Sequence, residues 1–202
     1  MEELIFFLNS IHPLSKDTSD FLMSRLQFVE ISKKSFVLRE GDVCREIYFV
    51  TKGLLRCFYK KNEKDVSAWF MKEGDVVISV ESFLKQTKSK ENIQALEDCS
   101  LYYINYDELQ LAYSNFSDFN SIDRILTEKY YLLSEQRLYS LRMQRASEKY
   151  LFLLNHFPQI LLRVPLKYIA SYLGITEETL SRIRAMKILI DNYQELHKVL
   201  VI

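Results

Sequence analysis

Between residues 36 and 104 the apolar residues fall in short runs divided by polar turns. Phe36-Val-Leu38 leads into Arg39-Glu-Gly-Asp42, and Ile47-Tyr-Phe-Val50 leads into Thr51-Lys-Gly53, with the run from Leu54 to Tyr59 following at hairpin distance. Val66 to Met71 leads into Lys72-Glu-Gly-Asp75, and the runs Ile93 to Leu96 and Leu101 to Ile104 complete the series. The runs are rich in β-branched and aromatic residues. Gly41, Gly53 and Gly74 stand at their ends, where a residue able to take positive φ is wanted. This texture predicts a roll of short antiparallel strands without βαβ units.

The pattern changes on either side. Ahead of the roll, Leu14, Phe21, Leu22 and Leu26 fit one or two short helices, with cap-type residues between Ser15 and Asp20. Behind it, from Asp118 to Arg145, there is neither glycine nor proline. Ile122, Leu126, Tyr130, Leu133, Arg137 and Leu141 recur there at three- and four-residue steps. This is one long amphipathic helix, able to pack on a second copy of itself or on the roll. Arg137 interrupts the stripe, which argues against a strictly apolar coiled coil. Helical texture resumes from Ala146 to Phe157, stops at Pro158, and starts again after Val164-Pro165, where proline suits the first turn of a helix. The organisation expected is therefore α+β: a roll with leading helices over 1–117, a connecting helix over 118–145 that serves dimerisation, and a helical domain over 146–202.

Within that last domain, Ile169, Ala170 and Leu173 form the inner stripe of one helix, Gly174 supplies a left-handed turn residue, and Ile175 plugs the corner. Thr176 can cap a second helix, whose dipole is complemented by Glu177 and Glu178 and whose buried face is Leu180 and Ile183. Ala170 keeps the crossing close. The spacing of Ala170, Gly174, Leu180 and Ile183 is that of a helix-turn-helix. With the second helix in a major groove, Glu177, Glu178, Ser181 and Arg182 face the bases. Arg182 suits guanine O6 and N7, and Glu178 suits cytosine N4. Lys167, Tyr168, Thr176, Thr179, Arg184 and Lys187 are placed for phosphates, which fix register without reading sequence.

Charge supports this reading. The chain of 202 residues is formally neutral, yet Arg137 to Lys187 holds nine basic residues against three acidic ones, a basic rear behind an acidic front. Hydrophobic residues make up 48% of the chain, enough for a full core, but no apolar run is long enough to span a bilayer. Glu2 and Glu3 precede the first apolar stretch, so no signal peptide, no membrane partner and a cytoplasmic location are expected. Cys44, Cys57 and Cys99 are scattered and His12, His156 and His197 dispersed, which suits neither a disulfide framework nor a metal site. A cupin-like enzyme would need histidines inside the roll, and the roll has none. A ligand- or protein-binding regulatory module without DNA binding is the other alternative.

The order of roll, long helix and helix-turn-helix, with Glu40-Gly-Asp42, Tyr48-Phe-Val-Thr-Lys-Gly53 and Glu73-Gly-Asp75, resembles the Crp/Fnr family of transcription regulators over nearly the whole chain. The segment from Tyr168 to Arg184 looks especially like the branch found in Bacteroidetes. The resemblance implies a cyclic-nucleotide-binding-like jelly roll, a winged-helix-like DNA-binding domain, a homodimer on a pseudo-palindromic operator, and RNA polymerase as a partner. It also implies that the Glu and Arg four residues apart, here Glu178 and Arg182, read bases. A family arginine just ahead of that Glu is replaced by Glu177, so half-site preference is expected to differ.

The effector pocket departs further. Nucleotide-binding members carry Gly-Glu-Leu and then an Arg-Ser or Arg-Thr pair that holds the cyclic phosphate. Here the stretches read Ile78-Ser-Val-Glu-Ser-Phe-Leu84 and Lys88-Ser-Lys-Glu-Asn-Ile93, with no arginine between Arg56 and Arg124. The pocket candidates are Ser79, Glu81, Ser82, Phe83, Lys90, Glu91 and Asn92. Lys90 lacks the planar fork of arginine, and Glu91 opposes an anion. No cyclic nucleotide, iron–sulfur cluster or haem is expected, which leaves room for an unidentified small-molecule effector. After Lys187 the tail 188–202 is apolar and lacks the glycine of a wing hairpin, so it is expected to extend the second helix or pack on the protein.

Overall fold

The computed structural model describes residues 2–186. The chain divides into two compact units, residues 1–134 and 135–202. The division falls inside the long helix rather than at either of its ends.

The first unit opens with α1 (Glu2–Ile11) and α2 (Lys16–Arg25); the Ser15 hydroxyl caps α2 by accepting from the Thr18 amide at 3.2 Å. Eight strands follow: β1 (Gln27–Ile31), β2 (Phe36–Leu38), β3 (Glu46–Lys52), β4 (Leu55–Lys61), β5 (Lys64–Met71), β6 (Val76–Val77), β7 (Asn92–Ala95) and β8 (Cys99–Asn105). They form two antiparallel sheets ordered β1-β8-β3-β6 and β2-β7-β4-β5. This is the mixed α+β architecture with an antiparallel roll that the sequence pattern predicts. Helix α3 (Val80–Lys85) lies between β6 and β7 in sequence, and α4 (Tyr106–Asn115) follows β8.

Two local expectations change. The run after Gly53 is not the second arm of a hairpin: β3 pairs with β8 and β6, whereas β4 pairs with β5 and β7, so the chain crosses from one sheet to the other at Gly53. The tight hairpin is instead β4 to β5, where Asn62 and Glu63 both take positive φ (48° and 61°) between the paired Lys61 and Lys64. Two consecutive left-handed residues match the twist of a two-residue hairpin, although no glycine marks the place. Strand β1 was also outside the pattern, because its Phe28 and Glu30 are both exposed and only single apolar residues point inward.

In the first turn of helix α5 (Ser117–Met143), the Asp118 carboxylate accepts from the Ser15 amide at 2.6 Å and the Thr18 hydroxyl at 2.7 Å. Burial disfavours its charge, but these donors and the Phe119 amide outweigh that and bring its pKa down to about 2. The first half of the stripe expected to meet a second copy is used here. Ile122 is 1% exposed, Leu126 packs against the same core, and the Tyr130 hydroxyl accepts from the Val76 amide at 2.9 Å. These three belong to the roll, and Leu133, one turn on, is half-buried. The reason is geometric: a helix of this length shows different faces to different surroundings, and periodicity alone does not assign them.

The second unit contains the end of α5, then α6 (Ala146–His156), α7 (Ile160–Arg163), α8 (Leu166–Leu173) and α9 over 177–186. The Arg145 amide donates to Glu148 at 2.7 Å and opens α6. Pro165 sits at the N-cap of α8, one place before the first helical turn expected for it. A separate core is built from Tyr150, Leu153, Phe157, Ile160, Val164 and the inner residues of α8 and α9.

Candidate nucleic-acid interface and effector pocket

Helices α8 and α9 and the turn between them make the first site. Ile169, Ala170, Leu173 and Leu180 are all buried, and Ile183 is half-buried. Ala170 thus stands where the two helices share one core. Gly174 has φ 66° and ψ 36°, and the turn closes with the Gly174 amide donating to Ser171 O at 3.2 Å and the Ile175 amide to Ala170 O at 3.0 Å. The second bond spans six residues, the mark of a left-handed helix stop. Thr176 then starts α9: its hydroxyl accepts from the Thr179 amide at 3.1 Å, and the Leu180 amide donates to Thr176 O at 3.0 Å.

With Leu180 turned inward, Glu177, Glu178, Ser181 and Arg182 are exposed together. Glu178 and Arg182 are one turn apart, their charged ends 4.0 Å from each other and 82% and 69% exposed. A pair so open to water holds itself weakly, so both groups are available to a partner. Of the residues placed for phosphates, Lys167 is exposed with its ammonium 4.9 Å from the Tyr168 ring centre, and Thr176 is exposed. Tyr168, Thr179 and Arg184 are half-buried, and the Thr179 hydroxyl lies 2.9 Å from that of Thr176. Lys187 and the tail 188–202 lie outside the described residues.

On the exposed side of α5 stand Tyr131 (64%), Leu132 (60%), Leu138 and Tyr139 (61%), with Met143 beyond. Tyr131 and Leu138, and likewise Leu132 and Tyr139, are seven residues apart. Leu141, the last member of the stripe read from the sequence, is exposed beside the turn: its Cδ2 lies 3.6 Å from where a Cβ on Gly174 would stand.

The second site is in the roll. The Ser79 hydroxyl donates to Glu91 Oε1 at 2.6 Å, and the Cys57 thiol donates to Glu91 Oε2 at 2.7 Å. Ser89 Oγ lies 3.2 Å from Ser79 Oγ and accepts from the Glu91 amide at 3.1 Å. The Tyr59 hydroxyl is a further donor to Glu91. Burial and then the neighbouring Glu91 charge push both Cys57 and Tyr59 well above their ordinary values. Three donors, Ser79, Cys57 and Tyr59, thus converge on a carboxylate that the chain itself supplies.

The other pocket candidates are used elsewhere. Ser82 is buried and braces a loop, accepting from the Cys44 amide at 2.9 Å and donating to Thr87 O at 2.5 Å. Phe83 is buried edge-on to Tyr106, and Asn92 accepts from the Glu40 amide at 3.1 Å. Lys90 pairs at 3.0 Å with Glu81, which also pairs with Lys85. Hydrogen bonds from Lys90 and Lys85 hold the Glu81 carboxyl below its usual range. Only Ser79 and Glu91 of the seven converge. Cys57 and Tyr59 were missed because they join the cluster through the pairing of β4 with β7, where Phe58 faces Asn92. Nothing in their own segment signals it.

Among the described residues, no three His, Cys, Asp or Glu side chains are grouped as a metal ion would require, and no helix is long and apolar enough to cross a membrane.

Residues 28–115 match the family described as cyclic nucleotide-binding domain. No curated protein matches the chain in sequence. Several solved structures share its fold. FixK2 from Bradyrhizobium japonicum is 19% identical with a TM-score of 0.68, over 80% of this chain and 83% of that one. The c-di-GMP responsive global regulator CLP of Xanthomonas campestris is 17% identical with a TM-score of 0.63, over 88% of this chain and 93% of the other. A Crp/Fnr-family regulator structure from Eubacterium rectale is 15% identical with a TM-score of 0.66, over 87% and 84%. The roll therefore has the cyclic-nucleotide-binding fold, and the fold of the chain is that of Crp/Fnr-type regulators.

Proposed function

We propose that the chain is a sequence-specific DNA-binding transcription regulator of the Crp/Fnr type, acting as a homodimer on a pseudo-palindromic operator. The observation that carries this reading is α9: its inner face is locked to α8 through Gly174 and Leu180, leaving Glu177, Glu178, Ser181 and Arg182 exposed together. The basic excess from Arg137 onward supports a polyanionic partner. The heptad-spaced apolar residues of α5, Tyr131, Leu132, Leu138 and Tyr139, support self-association. RNA polymerase as a partner and a cytoplasmic location follow from the same reading. The likeness of Tyr168 to Arg184 to a Bacteroidetes branch rests on that segment alone.

The roll, on this reading, does not take a cyclic nucleotide. A cyclic phosphate would meet the Glu91 carboxylate, which already holds the Ser79 hydroxyl and the Cys57 thiol. Millimolar cyclic AMP or cyclic GMP is expected to leave the thermal midpoint of the protein unchanged, since only a ligand that binds the folded state raises it. A concentration-dependent rise would overturn this part of the reading.

The main test is a gel-shift titration with the DNA upstream of the chain's own reading frame. Saturable binding that weakens steeply with salt is expected, and binding indifferent to sequence would sink the proposal. Arg182→Ala should cost about 1–3 kcal/mol and relax preference at one base pair. An equal loss on every sequence would move Arg182 to a phosphate role.

A further inference from the structure

Arg137 is the residue that breaks the apolar stripe of α5, and the structure gives it a task there. Its guanidinium lies 3.6 Å from the centre of the Tyr172 ring, and its Nη2 donates to the Tyr172 carbonyl oxygen at 3.0 Å. Tyr172 is in the last turn of α8, which ends at Leu173, so its carbonyl is one of those a helix leaves without an internal donor. A cation at that end also meets the negative pole of the helix. One turn farther along α5, Leu141 approaches Gly174. Arg137 and Leu141 therefore grip the end of α8 and the turn, and only Ile175 and Thr176 separate that turn from α9.

We propose that Arg137 is a positioning residue: it fixes the end of α8 against the rear of α5, and through the short turn sets the direction in which α9 presents Glu178 and Arg182. The guanidinium is largely desolvated, which lowers its pKa without discharging it, and it both stacks on the Tyr172 ring and donates to the Tyr172 carbonyl. It acts on DNA through α9 and makes no phosphate contact. The consequence for DNA rests on the function proposed above; the clasp itself does not.

Three variants test it in the full-length protein: Arg137→Ala, Arg137→Lys, which keeps the charge but not the planar stack, and Tyr172→Leu, which keeps the carbonyl but not the ring. Hydrogen exchange on the free protein needs no DNA. The amides of Gly174, Ile175 and Leu180 are expected to exchange about tenfold faster in Arg137→Ala, with Arg137→Lys and Tyr172→Leu in between and the amides of β3 and β8 unchanged. On a duplex selected by the wild-type protein from a random pool, affinity should fall about tenfold or more in Arg137→Ala, while the slope of log K against log salt stays at the wild-type value. A slope shallower by about one would make Arg137 a phosphate contact and overturn the proposal. Unchanged exchange at the turn in both Arg137→Lys and Arg137→Ala would also overturn it. If the wild-type protein selects no duplex, the DNA-binding reading fails, and the exchange rates still decide whether the clasp exists.

Discussion

Gly53→Ala is expected to destabilise the roll by about 2–5 kcal/mol, a large fraction of what a domain of this size has. Two effects combine. Gly53 has φ 98°, a conformation that costs an L side chain roughly 1–2 kcal/mol. A Cβ there would also stand 2.6 Å from the Asp98 carbonyl oxygen, 2.6 Å from Cys99 Sγ and 2.9 Å from Cys99 Cα. Two of these atoms are backbone, held in or beside β8, and cannot move aside as a flexible side chain would. The crossing between sheets is the cause, since there the chain lies flush against the start of β8. Gly41 supplies the control. Its φ is 93°, yet nothing lies within 4 Å of an added Cβ, so Gly41→Ala bears the backbone strain alone. Denaturant unfolding of both variants separates the two terms, and equal losses would refute the steric argument.

The second large effect concerns self-association. Leu132→Glu combined with Tyr139→Glu is expected to turn a dimer at micromolar concentration into a monomer, read by sedimentation velocity. Both residues are about 60% exposed and seven apart on α5, so in the proposed dimer each chain would bring two charges into the seam. Binding to a two-half-site operator should then fall by about a hundredfold or more, since the second half-site no longer binds as part of one molecule, while half-site affinity holds. Ile122→Glu is a different experiment. That side chain is 1% exposed in the roll's core, so the variant should lose stability first. A wild-type chain that sediments as a monomer at tens of micromolar would remove the dimer from the proposal.

Much of the architecture could be read from pattern. Short apolar runs between glycines mark the roll because each strand needs only a few residues and a turn, both local properties. Gly174, Thr176 and the inner residues Ala170 and Leu180 could be read because a tight two-helix turn constrains each position separately. What could not be read depended on pairings distant in sequence. The sheet crossing at Gly53 has the same local signature as a hairpin, and only the partners of β3 and β4 tell them apart. The cluster of Cys57 and Tyr59 on Glu91 needs the register of β4 against β7. For α5, the stripe from Ile122 to Leu141 is a sound helical period, but its first half meets the roll and its last residue the turn at Gly174. Arg137, an anomaly within that period, is explained by the C-terminal carbonyl of another helix.

The carboxylate of Glu91 also bears on how this protein can be controlled. A diffusible anion comes and goes with its concentration, and a receptor for it reports that concentration. An anion attached to the chain has a fixed effective concentration at its own donors and cannot be washed out. On the function proposed above, the roll carries its own negative group at these donors, and the arrival of a phosphate is expected to carry no news. That reading places control in something else that alters the roll, or in the amount of protein made.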